Sequence, residues 1–361
     1  MTTEIEEIEE IQPKKKRKKL LIILSVIVLL LAATAFFGYS KYLDIFGSNV
    51  ILGKEVKEVI FFIPKGSSID SVTRMLYNNH IIKDSSSYNW VVKLKDYYRV
   101  HPGKYRITNG MSNNELVNML RIGNRIPVNF TIKFYRFKEH VIQKAAEELE
   151  ADYGDLALLL NSESFLKEKG FTPQNIICIF IPNTYEFKWN TSALEFIERM
   201  SKEYEIFWSE ERRQKAELLG MTREEIITVA SIVDRETKFD DEKPKIAGVY
   251  LNRLKKGMKL QADPTVVYSV GNFNLRRVLR RHINNDSPYN TYKNIGLPPG
   301  PICTPAIASI DAVLNYENHE YLFFCAKEDF SGYHNFAKNH KQHMINARKF
   351  QAEMNRRKIY K

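Results

Sequence analysis

The sequence predicts an α+β protein: a single N-terminal transmembrane helix, a small α+β module, and a mixed α/β domain with a candidate acid at the end of a buried helix. Three observations predict it. Residues 20–39 read LLIILSVIVLLLAATAFFGY and carry no charge. A strand, turn and helix order near 58–78 returns near 126–150. The apolar helical pattern REEIITVASIVDRET runs directly into the acids Asp234 and Glu236. At 361 residues with 44% hydrophobic side chains the chain fills a core, which excludes a disordered protein.

An uncharged run of about 20 residues is the length a helix needs to cross a bilayer. KKKRKK at 14–19 precedes it, whereas Lys41 is the only basic residue in the next dozen. The positive-inside rule therefore keeps the N-terminus cytoplasmic and exports the chain from about residue 41 onward, a single-pass protein of the cell (inner) membrane. A cleaved signal peptide is the rival reading, since Ala32-Ala33-Thr34-Ala35 has the small residues of a cleavage site. The apolar run exceeds the roughly 7–15 residues of a signal h-region, so a retained anchor is expected. The first 19 residues hold six basic and five acidic side chains, so nearly all of the +11 formal charge is exported. That charge favours attraction to anionic lipid or wall polymer, and no nucleic-acid partner is expected outside the cytoplasm. Cys178, Cys303 and Cys325 lack metal or CxxC spacing and are expected as buried thiols with at most one disulfide.

The expected organisation is a cytoplasmic tail over 1–19, the transmembrane helix over 20–40, a stalk over 41–56 and the small module over 57–125. A connecting helical and strand part follows over 126–220, then the core that holds the acid over 221–352 and a basic C-terminal tail over 353–361. In the module, EVIFFIPKG at 58–66 reads as a strand and turn, and Ser67 or Ser68 opens the next helix. SYNWVVKLKDYY is a second helix, PGKYRIT alternates as a strand, and Ser112 with Glu115 has capping-box spacing. IPVNFTIKF and FKEHVIQKAAEELE give the next strand and helix.

Thr222 and Glu225 form a second capping-box pattern, and Ile226, Val229, Ala230 and Val233 fall on one helical stripe. Ile227 and Ile232 broaden that stripe, so the helix is mostly enclosed. Asp234 and Glu236, two positions apart, lie about 200° apart around the axis and cannot flank one bond as a pair. An acid acting alone with its proton held toward neutral pH by desolvation suits general-acid work. The other reading is a helix end fraying into solvent, with Asp234, Glu236, Asp240, Asp241 and Glu242 on the wet side.

Downstream, planar aromatics recur beside amides and hydroxyls: Tyr250 with Asn252, Gln261 with Asp263, Tyr289-Asn290-Thr291-Tyr292, and His334-Asn335-Phe336. Sugars present apolar ring faces edged with hydroxyls, and this mixture matches both. The stiff run GLPPGP at 296–301 suits a fixed loop lining a groove. HExxH, GxSxG and a Gly-rich phosphate cradle are absent from the sequence. His334, His340 and His343 read as solvated residues on a terminal helix rather than metal ligands, and no metal is expected.

ASIVDRET, VYLNRLKKGMKLQADPTVVY and SPYNTYKNIGLPPGPICTPA, with PNTYEF and HNFAKNH more loosely, resemble in order and spacing the MltG (YceG-like) endolytic murein transglycosylases. The likeness covers about 221–345, and the module at 57–125 resembles that family's LysM-like region. The resemblance implies that Glu236, followed by Thr237 at the end of this helix, is the catalytic acid. The family often has Glu where this chain has Asp234, which is the departure from its pattern.

The substrate implied is the β-1,4 bond between N-acetylmuramic acid and N-acetylglucosamine in peptidoglycan. Glu236 would protonate the leaving oxygen, then accept the proton of the muramyl C6 hydroxyl as it attacks C1, leaving a 1,6-anhydro end. No second carboxylate and no cofactor are implied. Thr237, Asn252, Gln261, Asp263, Tyr289, Asn290, Thr291, Tyr292, His334 and Asn335 are the candidate substrate-binding residues. Asp263 has two further readings, orienting a partner or capping the turn before Pro264. Glu186 in PNTYEF is an outside candidate for the groove. Expected partners are peptidoglycan glycan strands, the membrane through one helix, and peptidoglycan synthases or the elongation and division machinery. A tethered glycan-binding scaffold without activity and a lysozyme-like hydrolase stand as alternatives, the first separated by whether glycan is cleaved at all and the second by product mass.

Overall fold

The structure, a computed structural model, describes residues 14–53, 55–275 and 277–359. Residues 1–13 of the expected cytoplasmic tail and the last two residues of the expected C-terminal tail lie outside these. The chain divides into two units, Met1–Ile126 and Pro127–Lys361.

The first unit begins with α1 (Lys14–Phe46), whose residues 18–39 are exposed throughout. Leu29 and Phe36 are 68% and 76% exposed, an apolar surface of the kind that suits lipid as its solvent. The length and hydropathy of Lys18–Phe46 suit a membrane span. Strands β1 (Glu58–Ile63) and β2 (Gly103–Thr108) pair antiparallel with Phe61 opposite Tyr105. Their period-2 alternation turns Phe61, Ile63, Tyr105 and Ile107 inward. Helices α2 (Ile69–Asn78), α3 (Ser85–Leu94) and α4 (Asn113–Ile122) complete the same core with Val72, Leu76, Val91, Leu116 and Leu120. Ser68 caps α2, and Ser112 with Glu115 closes a capping box on α4. The segment expected as a stalk is partly built into this module. α1 continues to Phe46, Val50 is fully buried and bridges to Ile82, and Asn49 Nδ2 donates to Asn113 Oδ1 at 2.7 Å.

In the second unit, β3 (Val128–Ile132) pairs antiparallel with β4 (Asn183–Phe187), and Phe130 meets Phe187 and Phe196 edge-on inside the core. Between these strands run α5 (Lys138–Glu148), α6 (Tyr153–Asn161), α7 (Glu163–Glu168) and a short 3-10 turn, Ile176–Ile179. Glu186 stands exposed on β4. Helices α8 (Ala193–Phe207) and α9 (Glu210–Leu219) lead to α10 (Arg223–Glu236), capped by the Thr222/Glu225 box. Ile226, Val229, Ala230 and Val233 are 0% exposed, and burial of the Ile and Val side chains contributes about 1.5–3 kcal/mol each.

Around α10 pack α11 (Lys243–Lys255), α12 (Asp263–Val270) and α14 (Ile307–Leu314), with the short α13 (Arg280–Ile283) against α12. A hairpin of β5 (Phe323–Ala326) and β6 (His334–Ala337) and the final helix α15 (His340–Arg356) complete the unit. The loop before α14 is fastened at two points. Ile302 N donates to Ser231 Oγ of α10 at 3.0 Å, and Tyr135 N donates to Thr304 Oγ1 at 2.8 Å. A Cβ at Gly300 would overlap the Gln174 carbonyl, so only glycine allows this approach. All three cysteines are free thiols; Cys178 and Cys303 are buried, whereas Cys325 is half-buried.

Candidate active site

α10 ends at Glu236 because Thr237 adopts extended backbone, and Thr237 Oγ1 accepts from Phe239 N at 3.1 Å, turning the chain away. Glu236 thereby projects toward α11 and α12. Asp234 does not share its surroundings. Its Oδ1 accepts from Ser309 Oγ of α14 at 2.5 Å and lies 3.5 Å from Lys243 Nζ. The two acids point to different neighbours, as their spacing on a helix requires.

On α11, Tyr250 and Arg253 are three positions apart and so share a face. The Tyr250 hydroxyl donates to Glu236 Oε1 at 2.5 Å. Arg253 is spent on backbone: Nε donates to Leu322 O at 2.6 Å and Nη1 to Leu260 O at 2.7 Å, fixing β5 and the loop before α12. Asp263 occupies the first turn of α12, where the helix dipole favours a carboxylate, and its Oδ1 accepts from Tyr292 OH at 2.6 Å. The N-cap of α12 is Ala262, with no side-chain cap hydrogen bond.

Burial pushes the Glu236 carboxyl up to about 7. The Tyr250 hydrogen bond opposes that rise, the negative charge of Asp263 adds to it, and Arg253 opposes it. Tyr292 is itself pushed up by burial and by the Asp263 carboxylate. Two hollows meet at the acid. One, about 360 Å³, is lined by Arg136, Arg235, Tyr268 and Phe273; the other, about 320 Å³, by Gln261, Tyr292, Phe323, His340 and His343. Glu236 and Asp263 line both, so a chain laid through the two hollows passes over both carboxylates.

Of the expected binding residues, Gln261, Asp263 and Tyr292 line the hollows beside Glu236. Gln261 holds a left-handed backbone, φ 49°, and its N–H donates to Thr291 O at 3.1 Å. Asn290 and Thr291 are buried and serve the loop instead. Asn290 Nδ2 donates to Asn285 O at 2.6 Å, and Thr291 Oγ1 accepts from Ala262 N at 3.0 Å. Tyr289 stands behind Tyr268, ring centroids 4.7 Å apart. Thr237 is buried and engaged with its own turn.

Asn252, His334 and Asn335 line neither hollow. Asn252 Nδ2 donates to His319 O at 2.7 Å, His334 pairs with the buried Glu242 at 2.8 Å, and Asn335 Nδ2 donates to Glu328 Oε2 at 2.8 Å. These polar atoms are already satisfied by neighbours, which is the usual fate of an amide or imidazole near a core. The Gly296 to Pro299 part of the stiff run lines a separate hollow of about 650 Å³ at the other end of α10. His340 and His343 line the second hollow; His340 is exposed as expected, His343 is half-buried and stacked on Phe323 at 5.4 Å, and His334 lies on β6 rather than on the terminal helix. Tyr250 as the partner of the acid was not foreseen, nor were Arg136, Arg235 and Tyr268 as lining. A Tyr at the middle of an apolar helix facing the end of the preceding one was the available signal.

The fold and site define a class: an α+β protein bearing one desolvated carboxylic acid, held by a tyrosine, at the floor of an open two-sided cleft. Within that class the chain belongs to the YceG-like family, whose match covers residues 61–349. It is similar to the endolytic murein transglycosylase of Bacillus subtilis (strain 168), 30% identical over 301 residues, spanning 78% of this chain and 81% of that protein. The endolytic murein transglycosylase of Streptococcus pneumoniae (strain ATCC BAA-255 / R6) is 26% identical over 330 residues, 81% of this chain but only 58% of the relative's length. Among solved structures, a putative yceG-like protein from Listeria monocytogenes aligns at a TM-score of 0.53 with 27% identity, covering 80% of this chain and 98% of that one.

Proposed function

We propose that this protein is a membrane-anchored endolytic murein transglycosylase that cleaves the MurNAc-GlcNAc β-1,4 bond and leaves a 1,6-anhydro muramyl end. The observation that carries the reading is Glu236, raised to about 7 at the junction of two hollows. A carboxyl protonated near neutral pH donates to the glycosidic oxygen as an oxocarbenium-like centre forms. The resulting carboxylate then takes the proton of the muramyl C6 hydroxyl, which closes on C1 without water. Tyr250 keeps the carboxyl oriented through both halves, and a hollow on each side of the acid suits cutting within a strand rather than at its end.

In this reading α1 is a single-pass anchor in the cell membrane, with the basic residues 14–19 on the cytoplasmic side and the second unit outside. Residues 57–125 act as a LysM-like module. Anchoring confines cleavage to strands near the membrane and limits their length, beside the peptidoglycan synthases. The deciding experiment incubates the full chain with glycan strands and weighs the products, with and without Glu236→Gln. Fragments one water lighter than hydrolysis products, lost in the variant, are expected; products unchanged by the variant sink the assignment.

Asp263 favours a second reading. A carboxylate sharing the cleft with the acid is what a lysozyme-like hydrolase uses to stabilise the developing cation or to activate water. Products one water heavier would select it.

A further inference from the structure

The first hollow has a cationic wall that the acid chemistry does not use. The Arg136 and Arg235 guanidiniums both pack on the Phe134 ring, at 5.1 and 5.0 Å from its centroid, and Arg136 also lies 4.2 Å from the Phe273 centroid. The charge of Arg235, after burial, disfavours the charged form of Arg136. Among the described residues neither arginine has a carboxylate partner, although Glu236 and Asp263 line the same hollow. The contrast is Arg253 in the other hollow, whose donors are consumed by backbone carbonyls. Two like charges held on one aromatic ring without a counterion form a forked set of donors suited to a planar carboxylate.

We propose that Arg136 and Arg235 form an anion subsite beside Glu236 that receives a carboxylate carried on the lactyl arm of the muramyl residue. The proposal rests on the glycan-cleaving reading and deepens it. N-acetylglucosamine has no lactyl arm, so the subsite seats the muramyl ring on the Tyr268 side of the acid. The leaving N-acetylglucosamine then occupies the Phe323 side, and the strand crosses Glu236 in one direction only. The carboxylate is that of the free lactyl group on a peptide-stripped strand or of the stem peptide on a peptide-bearing one.

Binding to the full chain in detergent, carrying Glu236→Gln to prevent turnover, tests this. The probes are peptide-bearing glycan oligomers, the same oligomers stripped by an amidase, and chitotetraose, each at low and high salt. Adding Arg136→Gln with Arg235→Gln is expected to weaken muramyl oligomers about tenfold and flatten their salt dependence while leaving chitotetraose affinity in place. Arg136→Lys with Arg235→Lys is expected to restore most of the loss. The larger loss, on stripped or on peptide-bearing oligomers, identifies which carboxylate is held. An equal change on chitotetraose, or none on any probe, overturns the subsite while leaving the glycan reading intact. Failure of all three probes to bind the Glu236→Gln chain with both arginines intact overturns both.

Discussion

Tyr250 and Glu236 lie 14 positions apart on consecutive helices, and the tyrosine hydroxyl donates to the glutamate Oε1 at 2.5 Å. The contact holds the acid's carboxyl at the cleft floor, where burial would otherwise leave it without a donor.

Replacing Glu236 by Gln removes the proton and keeps the shape. Turnover of glycan strands is expected to fall about 10²–10⁴-fold, the usual share of a positioned general acid. Because a desolvated carboxylate is removed as well, thermal stability at neutral pH is expected to stay level or rise. A melting curve beside a product-mass assay checks both.

The raised carboxyl of Glu236 makes folding pH-dependent with a definite sign. Its folded value of about 7 lies above the ordinary 4.5, so the folded state binds the proton more tightly. The stability linked to that proton is fully present below about pH 4.5 and is lost as pH rises through about 7. For this half-buried group the loss is on the order of 2 kcal/mol. The activity that needs a protonated acid declines over the upper end of the same window. Melting temperature and rate followed from pH 5 to pH 9, with Glu236→Gln as the flat control, test the sign.

Tyr250→Phe deletes the donor that opposes the rise at Glu236. The alkaline limb of the rate profile is expected to move to higher pH, and the rate to drop about tenfold as the carboxyl loses its orientation. A limb that stays in place would show that the hydroxyl does not bear on the acid's proton.

Asp263→Asn removes a negative charge that raises Glu236, so the alkaline limb is expected to move to lower pH. Tyr292 retains an acceptor in the amide oxygen. If the nucleophile is the muramyl C6 hydroxyl, anhydro products persist; their disappearance with retained binding would transfer the chemistry to a two-carboxylate mechanism.

Gly300→Ala places a Cβ against the Gln174 carbonyl at the loop tied to Ser231. Overpacking of this kind costs about 1–3 kcal/mol. Chemical denaturation is expected to show the loss, with the lining of the first hollow disturbed through Ile302.

Local signals carried much of the fold. An uncharged run, the two capping boxes at Ser112/Glu115 and Thr222/Glu225, and the alternation of Phe61 and Ile63 each depend on residues within a turn or a strand of one another. The divergence of Asp234 and Glu236 was legible for the same reason, since helix geometry alone fixes it. The resemblance in the motifs pointed to Glu236, and the spacing of QAD and YNTY marked Gln261, Asp263 and Tyr292 without saying how they meet.

The tertiary structure alone decided which polar side chains of those motifs face the cleft. Tyr292 reaches Asp263 across 29 positions while its neighbours Asn290 and Thr291 turn inward, and His334 is claimed by Glu242 from 92 positions away. Arg136 and Arg235 come together on Phe134 although 99 positions separate them, and Asp263 joins Glu236 at one cleft floor. The physical reason is that a polar side chain takes whichever partner the packed core brings within hydrogen-bond reach. Local sequence sets a residue's face on its own helix or strand, and the packing of distant elements sets what that face meets.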